Sequence, residues 1–215
     1  MATFITPSIC VRFVSTAKNL GFQLDSLLNF NSQIKALKSS CFHKLRNIAK
    51  MQPFLNTKQL QSLTQALVIS SLDYCNALYY GIDANLLNQL QIIQNRACRT
   101  VLGLRKREHV TQHLEDLHWL KVQERIEFKV LLLVYKALNG LSPEYLAELI
   151  SYNNISGSRT PSLLSPVART SKGIQAFQYY APRLWNNTPY NIRQCDNIFI
   201  FKKKLKTYLF TKSYP

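Results

Sequence analysis

Two groups of cations are spaced so that they could do chemistry. The stretch "RACRTVLGLRKREH" supplies Arg96, Arg99, Arg105, Lys106 and Arg107, and "FKKKLK" supplies Lys202, Lys203, Lys204 and Lys206. Cations set along one face neutralise the phosphates of a polyanion and release its counterions, and neighbouring aromatics stack unpaired bases. At 100° per residue Arg96, Arg99 and Lys106 fall on one side of a helix, opposite Leu86, Leu90, Ile93, Ala97, Val101 and Leu104. The bland alternative is a merely solvated charged face. The totals weigh against it: 27 Lys and Arg against 11 Asp and Glu leave a net charge of +16. Such an excess draws polyanions or anionic surfaces.

Other chemistry has fewer candidates. None of the acids forms the close pair that two-metal phosphoryl transfer uses, since Glu115 and Asp116 are adjacent on an expected helix and diverge. No Gly-rich phosphate loop, G-x-S-x-G or H-E-x-x-H occurs. His109 and His113 stand four apart in "HVTQHLEDLH", a spacing that shares one metal on a helix. Thr111 reads as the cap of that helix, which leaves His109 outside it. The expectation is a chain without catalytic residues, metal or cofactor. Five cysteines, odd in number and never in a CxxC pair, point to a reducing compartment. The most apolar run, "FKVLLLVYKAL", is short for a membrane span and holds two lysines. An intracellular location, nuclear or cytoplasmic, is expected, with neither secretion nor a membrane partner.

The elements that must position these groups read as mainly α: a helical bundle with a small β element at the N-terminus and an irregular C-terminal segment. Short β-branched and aromatic runs at residues 1–28 predict one or two strands. Ile34, Leu37, Cys41, Leu45 and Ile48 then predict a helix that Pro53 stops. A second helix is expected from Thr57, carrying Leu60, Leu63, Leu67, Tyr74 and Leu78 up to Gly81, and a third from about Asn85 to Arg105. Val122 to Leu138 is apolar nearly all round and belongs at the centre of the bundle that spans residues 29–150. Residues 151–173, rich in Ser, Pro and Asn, read as a flexible linker, and 174–215 as a segment that ends in a basic helix.

One stretch fits no generic loop: "YYAPRLWNNTP", from Tyr179 to Pro189. Followed by "IR" and "FKKKLKTYLF", it resembles the C-terminal region of reverse transcriptases of LINE-type (non-LTR) retrotransposons, nearest to the chicken-repeat and jockey-like groups. The likeness continues upstream, in order, through "KNLGFQLDS", "CFHKLRNIAKMQPFL", "SSLDYCNALYYG", "LNQLQIIQNRACRTVLG", "RKREHVTQHLEDLHWL" and "RIEFKVLLLVYKALNGLSPEYL", covering roughly Lys18 to Phe210. In that family the fingers and palm, with an aromatic-x-Asp-Asp catalytic motif, precede the "KNLG" segment. No Asp-Asp occurs in this chain, so the family's catalytic residues have no positions to be carried onto.

The resemblance implies a palm edge over residues 1–28, a thumb over 29–150 and a post-thumb segment over 174–215. It implies a non-catalytic remnant of an RNA-directed DNA polymerase that holds RNA or an RNA–DNA hybrid by its backbone, without sequence preference and without a small-molecule substrate. Self-association through an exposed palm-facing surface is a further expectation. In "APRLWN", Trp185 and Leu184 are expected to insert into the bundle while Pro182 and Pro189 fix a loop. The competing readings are an inactive truncated reading frame and an adopted host module that binds another protein.

Overall fold

The computed structural model describes residues 3–6, 9–12, 14–153 and 161–214, and most of them are helical. Two antiparallel hairpins come first. Strand β1 (Thr3–Thr6) pairs with β2 (Ile9–Arg12), and β3 (Thr16–Asn19) with β4 (Phe22–Asp25). Leu20 and Gly21 both take positive φ, as a two-residue hairpin turn of matching twist requires. Four strands thus stand where one or two were expected. Asp25 then organises the exit: its carboxylate accepts the N–H groups of Leu27, Asn29 and Phe30. Those bonds hold Leu28 and Phe30 at φ 50 and 60 and turn the chain into a helix.

That helix, α1 (Asn31–Met51), buries Ile34, Cys41, Leu45 and Ile48, and Pro53 lies in the short turn that follows it. The expected second helix is broken. Helix α2 (Thr57–Thr64), capped reciprocally by Asn56 and Gln59, runs into a π turn at Gln65–Ile69 and a short α3 (Ser70–Asp73). Ser70 Oγ and Ser71 Oγ donate to the carbonyls of Ala66 and Leu67, and Lys44 Nζ donates to the latter as well. Side chains that take ladder carbonyls in this way bend or widen a helix. The widened turn shifts the phase, so Val68, Ile69 and Leu72 are buried while Leu67, Tyr74 and Leu78 are exposed. The α-helix ends at Asp73, and Cys75, at φ 52, breaks the winding before a short 3-10 turn (Asn76–Tyr79) carries the chain to Gly81.

Helix α4 (Ala84–Leu102) starts on Asp83, whose side chain accepts from Asn85 N–H. It ends at Gly103, in the left-handed region at φ 67, where the N–H groups of Gly103 and Leu104 both donate to Arg99 O. Next come α5 (Thr111–Asp116), α6 (Val122–Leu138) and α7 (Glu144–Ala147). Thr111 does not cap α5: Val110 holds the cap position and no side chain bonds there. Helix α8 (Ser171–Ile174) begins within the 151–173 segment that was expected to be a linker, and α9 (Phe177–Asn186), α10 (Tyr190–Arg193) and α11 (Ile198–Ser213) follow.

The architecture is mainly α with a small N-terminal β element. At its centre α6 buries Ile126, Val130, Leu131, Val134 and Tyr135 and packs against α4, α9 and α11. Tyr135 stacks on Phe201 with ring centroids 4.2 Å apart, and Trp185 approaches the same ring at 5.9 Å. "YYAPRLWN" is helical rather than a loop, with Pro182 inside α9. Proline there leaves the Gln178 carbonyl without its ladder partner, a cost of about 3 kcal/mol. Burial of Tyr180, Ala181, Pro182 and Trp185 on the same helix offsets it. Tyr180 stacks on Tyr80 at 4.1 Å and donates its hydroxyl to Ala77 O, and its burial pushes the phenol pKa up.

Asn186 accounts for another part of the stretch. Its amide accepts from Leu163 N–H and donates to Leu163 O, both at 2.8 Å, and Leu163 is fully buried. Arg193 adds bonds to Thr188 O and Pro161 O. Of the stretch read as a flexible linker, residues 154–160 lie outside the described residues.

Candidate nucleic-acid interface

Helices α1 and α4 pack against each other more extensively than any other helix pair. A groove runs between them. Its wider part, about 680 Å³, is lined by Ser39, Phe42, Leu45 and Arg46 of α1, by Ile92, Arg96 and Arg99 of α4, and by Lys106 beyond the helix end. Sharing Ser39 and Phe42, it continues into a hollow of about 520 Å³ bordered by Lys35, Lys38, Leu86 and Gln89. Lys38 Nζ reaches across to Gln89 Oε1 at 3.4 Å.

Helix geometry explains the arrangement. Lys35, Lys38, Phe42 and Arg46 follow steps of three and four residues and form one stripe beside the buried stripe of Ile34, Cys41, Leu45 and Ile48. Arg96 and Arg99 occupy the facing flank of α4. Among the described residues no carboxylate lines either hollow. On the buried sides of the same two helices, burial pushes the Cys41 and Cys98 thiols each up to about 11, so both serve as neutral core groups.

The expected residues take different places. Arg96 is exposed and lines the groove. Arg99 also lines it but is half-buried, and one terminal nitrogen donates to Glu108 O at 2.8 Å. It braces the turn that follows α4. Lys106 was expected on the helix face, but the Gly103 stop puts Arg105, Lys106 and Arg107 on that turn. Lys106 still reaches the groove, whereas Arg105 and Arg107 are exposed away from its lining. Glu108 closes the turn by accepting Arg105 N–H at 2.8 Å.

The lysines of α11 form a separate surface, and none of them lines the α1–α4 groove. Lys202 sits over the exposed Phe199 ring at 5.8 Å, and Lys204 Nζ donates to Asn191 O at 3.3 Å. Lys203 is exposed, and Lys206 lines another cavity, against α6. Reading the sequence for adjacent cations missed Lys35, Lys38 and Arg46. The signal was their helical spacing with Phe42, on a helix whose apolar stripe was already evident.

His109 precedes α5, and His113, within it, has Nδ1 3.8 Å from Asp116. Among the described residues no group of three or more His, Cys, Asp or Glu side chains is placed to hold a metal, and no helix is long and apolar enough to cross a membrane. Exposed apolar side chains gather at the second hairpin and its exit, at Leu20, Leu27 and Leu28. Tyr74 donates its hydroxyl to Leu20 O. No protein-family model, curated protein or solved structure matches the chain.

Proposed function

We propose that this chain binds RNA or an RNA–DNA hybrid through the sugar–phosphate backbone, as the non-catalytic thumb and post-thumb part of a LINE-type reverse transcriptase. One observation carries the reading: the α1–α4 groove brings together Lys35, Lys38, Arg46, Arg96, Arg99 and Lys106, with no carboxylate lining it among the described residues. From Lys35 to Arg46 an α-helix advances about 16 Å. That is the axial reach of about five phosphates of one strand at 3.4 Å each. Cations that meet phosphates sense backbone shape and leave base sequence unread.

Fluorescence anisotropy with a labelled RNA–DNA hybrid, single-stranded RNA and duplex DNA, at several salt concentrations, tests it. Five phosphate contacts give log Kd a slope of about 4 to 5 against log salt. The triple variant Arg46→Glu, Arg96→Glu, Lys106→Glu is expected to lose binding while keeping its fold. Absence of binding at low salt, or undiminished binding by that variant, would overturn the assignment.

A further inference from the structure

We propose that a second cavity, apart from the α1–α4 groove, is a nucleotide site. It holds about 660 Å³ and lies between the α2–π segment, the α5–α6 connection, α6 and α11. That volume is typical of small-molecule sites. Its apolar wall is built by Leu117, Trp119, Leu120 and Phe128, a surface suited to a planar ring. Gln61 and Gln65 line it as well, and each carboxamide both donates and accepts, as the edge of a nucleobase requires.

Charge selects the rest of the ligand. Lys129 from α6 and Lys206 from α11 border the cavity from two walls. Among the described residues its one lining carboxylate, Asp73, has both oxygens held by Arg125. The free charge is therefore positive, and a phosphate fits it. Asn76, on the wall and only 2 % exposed, turns Nδ2 to Asp73 at 3.4 Å and leaves Oδ1 without a hydrogen-bond partner. Backbone departures converge on the same place: the π turn at Gln65–Ile69, Cys75 at φ 52 beside Asn76, and His118 at φ 53 beside Trp119. Strain of this kind concentrates at ligand sites.

A ring with hydrogen-bonding edges and an attached phosphate is a nucleotide, either free or as an unpaired residue of a bound strand. The strand source rests on the function proposed above, and the free source does not. The test is calorimetric titration of the full chain with GMP, AMP, CMP and UMP, with inorganic phosphate as control. Trp119 fluorescence is followed in parallel, against the constant background of Trp185 buried beside Phe201. Saturable nucleotide binding with a Trp119 change is expected. Lys129→Ala with Lys206→Ala should weaken it at least ~10-fold, about 1.4 kcal/mol, and Gln65→Ala should narrow the differences between bases. Tighter binding of an unpaired oligoribonucleotide than of the mononucleotide assigns the strand source; the reverse assigns the free one. The groove variant Arg46→Glu, Arg96→Glu, Lys106→Glu should bind GMP normally even when hybrid binding is lost, which separates the two proposals. No nucleotide binding by the wild-type chain, or phosphate binding as well as GMP without a Trp119 change, would overturn the site.

Discussion

Arg125 of α6 grips Asp73 of α3 at two points: Nε donates to Oδ1 at 2.8 Å, and a terminal nitrogen donates to Oδ2. Both side chains are largely withdrawn from solvent, at 15 % and 32 % exposure. A two-point pair in that setting lies between a surface bridge and a buried one, so each single alanine variant should cost about 1–3 kcal/mol. The double variant Asp73→Ala, Arg125→Ala should cost little more than either single one. Urea unfolding of all four proteins measures this, and strictly additive losses would show that the pair is not coupled.

The groove and the turn after α4 make different predictions for cations close in sequence. Arg46→Glu and Arg96→Glu should each weaken hybrid binding about 10-fold and lower the salt slope by about 1. Arg107→Glu, outside the groove lining, should change affinity by less than about 3-fold and act through the long-range field alone. Equal effects from all three would favour a diffuse basic surface over a groove.

Trp185 is 4 % exposed and lies against Phe201. Trp185→Ala should therefore cost about 3–5 kcal/mol of stability. Trp185→Phe, which keeps most of the volume, should leave hybrid affinity unchanged at a temperature where the variant stays folded. Thermal melts paired with anisotropy decide between core packing and base stacking. A loss of affinity in a fully folded Trp185→Phe protein would mean stacking.

Asp25 makes stability depend on pH. The Asn29 N–H, followed by those of Phe30 and Leu27, holds its carboxyl below the ordinary 3.8, with partial desolvation working the other way. A carboxyl whose pKa is lower folded than unfolded adds stability above its unfolded value and loses it as pH falls through the folded one. Asp25→Asn should thus lower the urea midpoint at pH 7, and the gap to wild type should close below pH of about 4. A gap of the same size at pH 3 and pH 7 would exclude the mechanism.

Legibility followed how local each determinant is. The apolar phase of α1 and the bounds of α6 could be read because each depends on one uninterrupted repeat, ended by Gln52-Pro53 or Asn139-Gly140. Helix α4 stops short of its expected end because Leu104 keeps the apolar phase past Gly103, whose left-handed geometry ends the helix. The π turn was hidden because its causes include Lys44, from another helix, bonding to Leu67 O. Pro182 inside α9 was unreadable for a similar reason: the packing that tolerates it comes from other elements, through Tyr80 on Tyr180 and Phe201 beside Trp185. Of the groove, half was visible as the Arg-rich stretch. The other half, on α1, needed the knowledge that α1 and α4 are neighbours.

The last helix has a temporal consequence. Lys212 closes on Glu127 at 2.8 Å across 85 positions, and Tyr214 donates to Trp119 O across 95. At about 5–20 residues per second, a nascent α6 waits roughly 4–17 s for the segment that covers its flank. During that interval Tyr135 faces solvent or a chaperone rather than Phe201. The yield of folded protein should accordingly respond to translation speed through residues 139–197 more than to any synonymous change before α6.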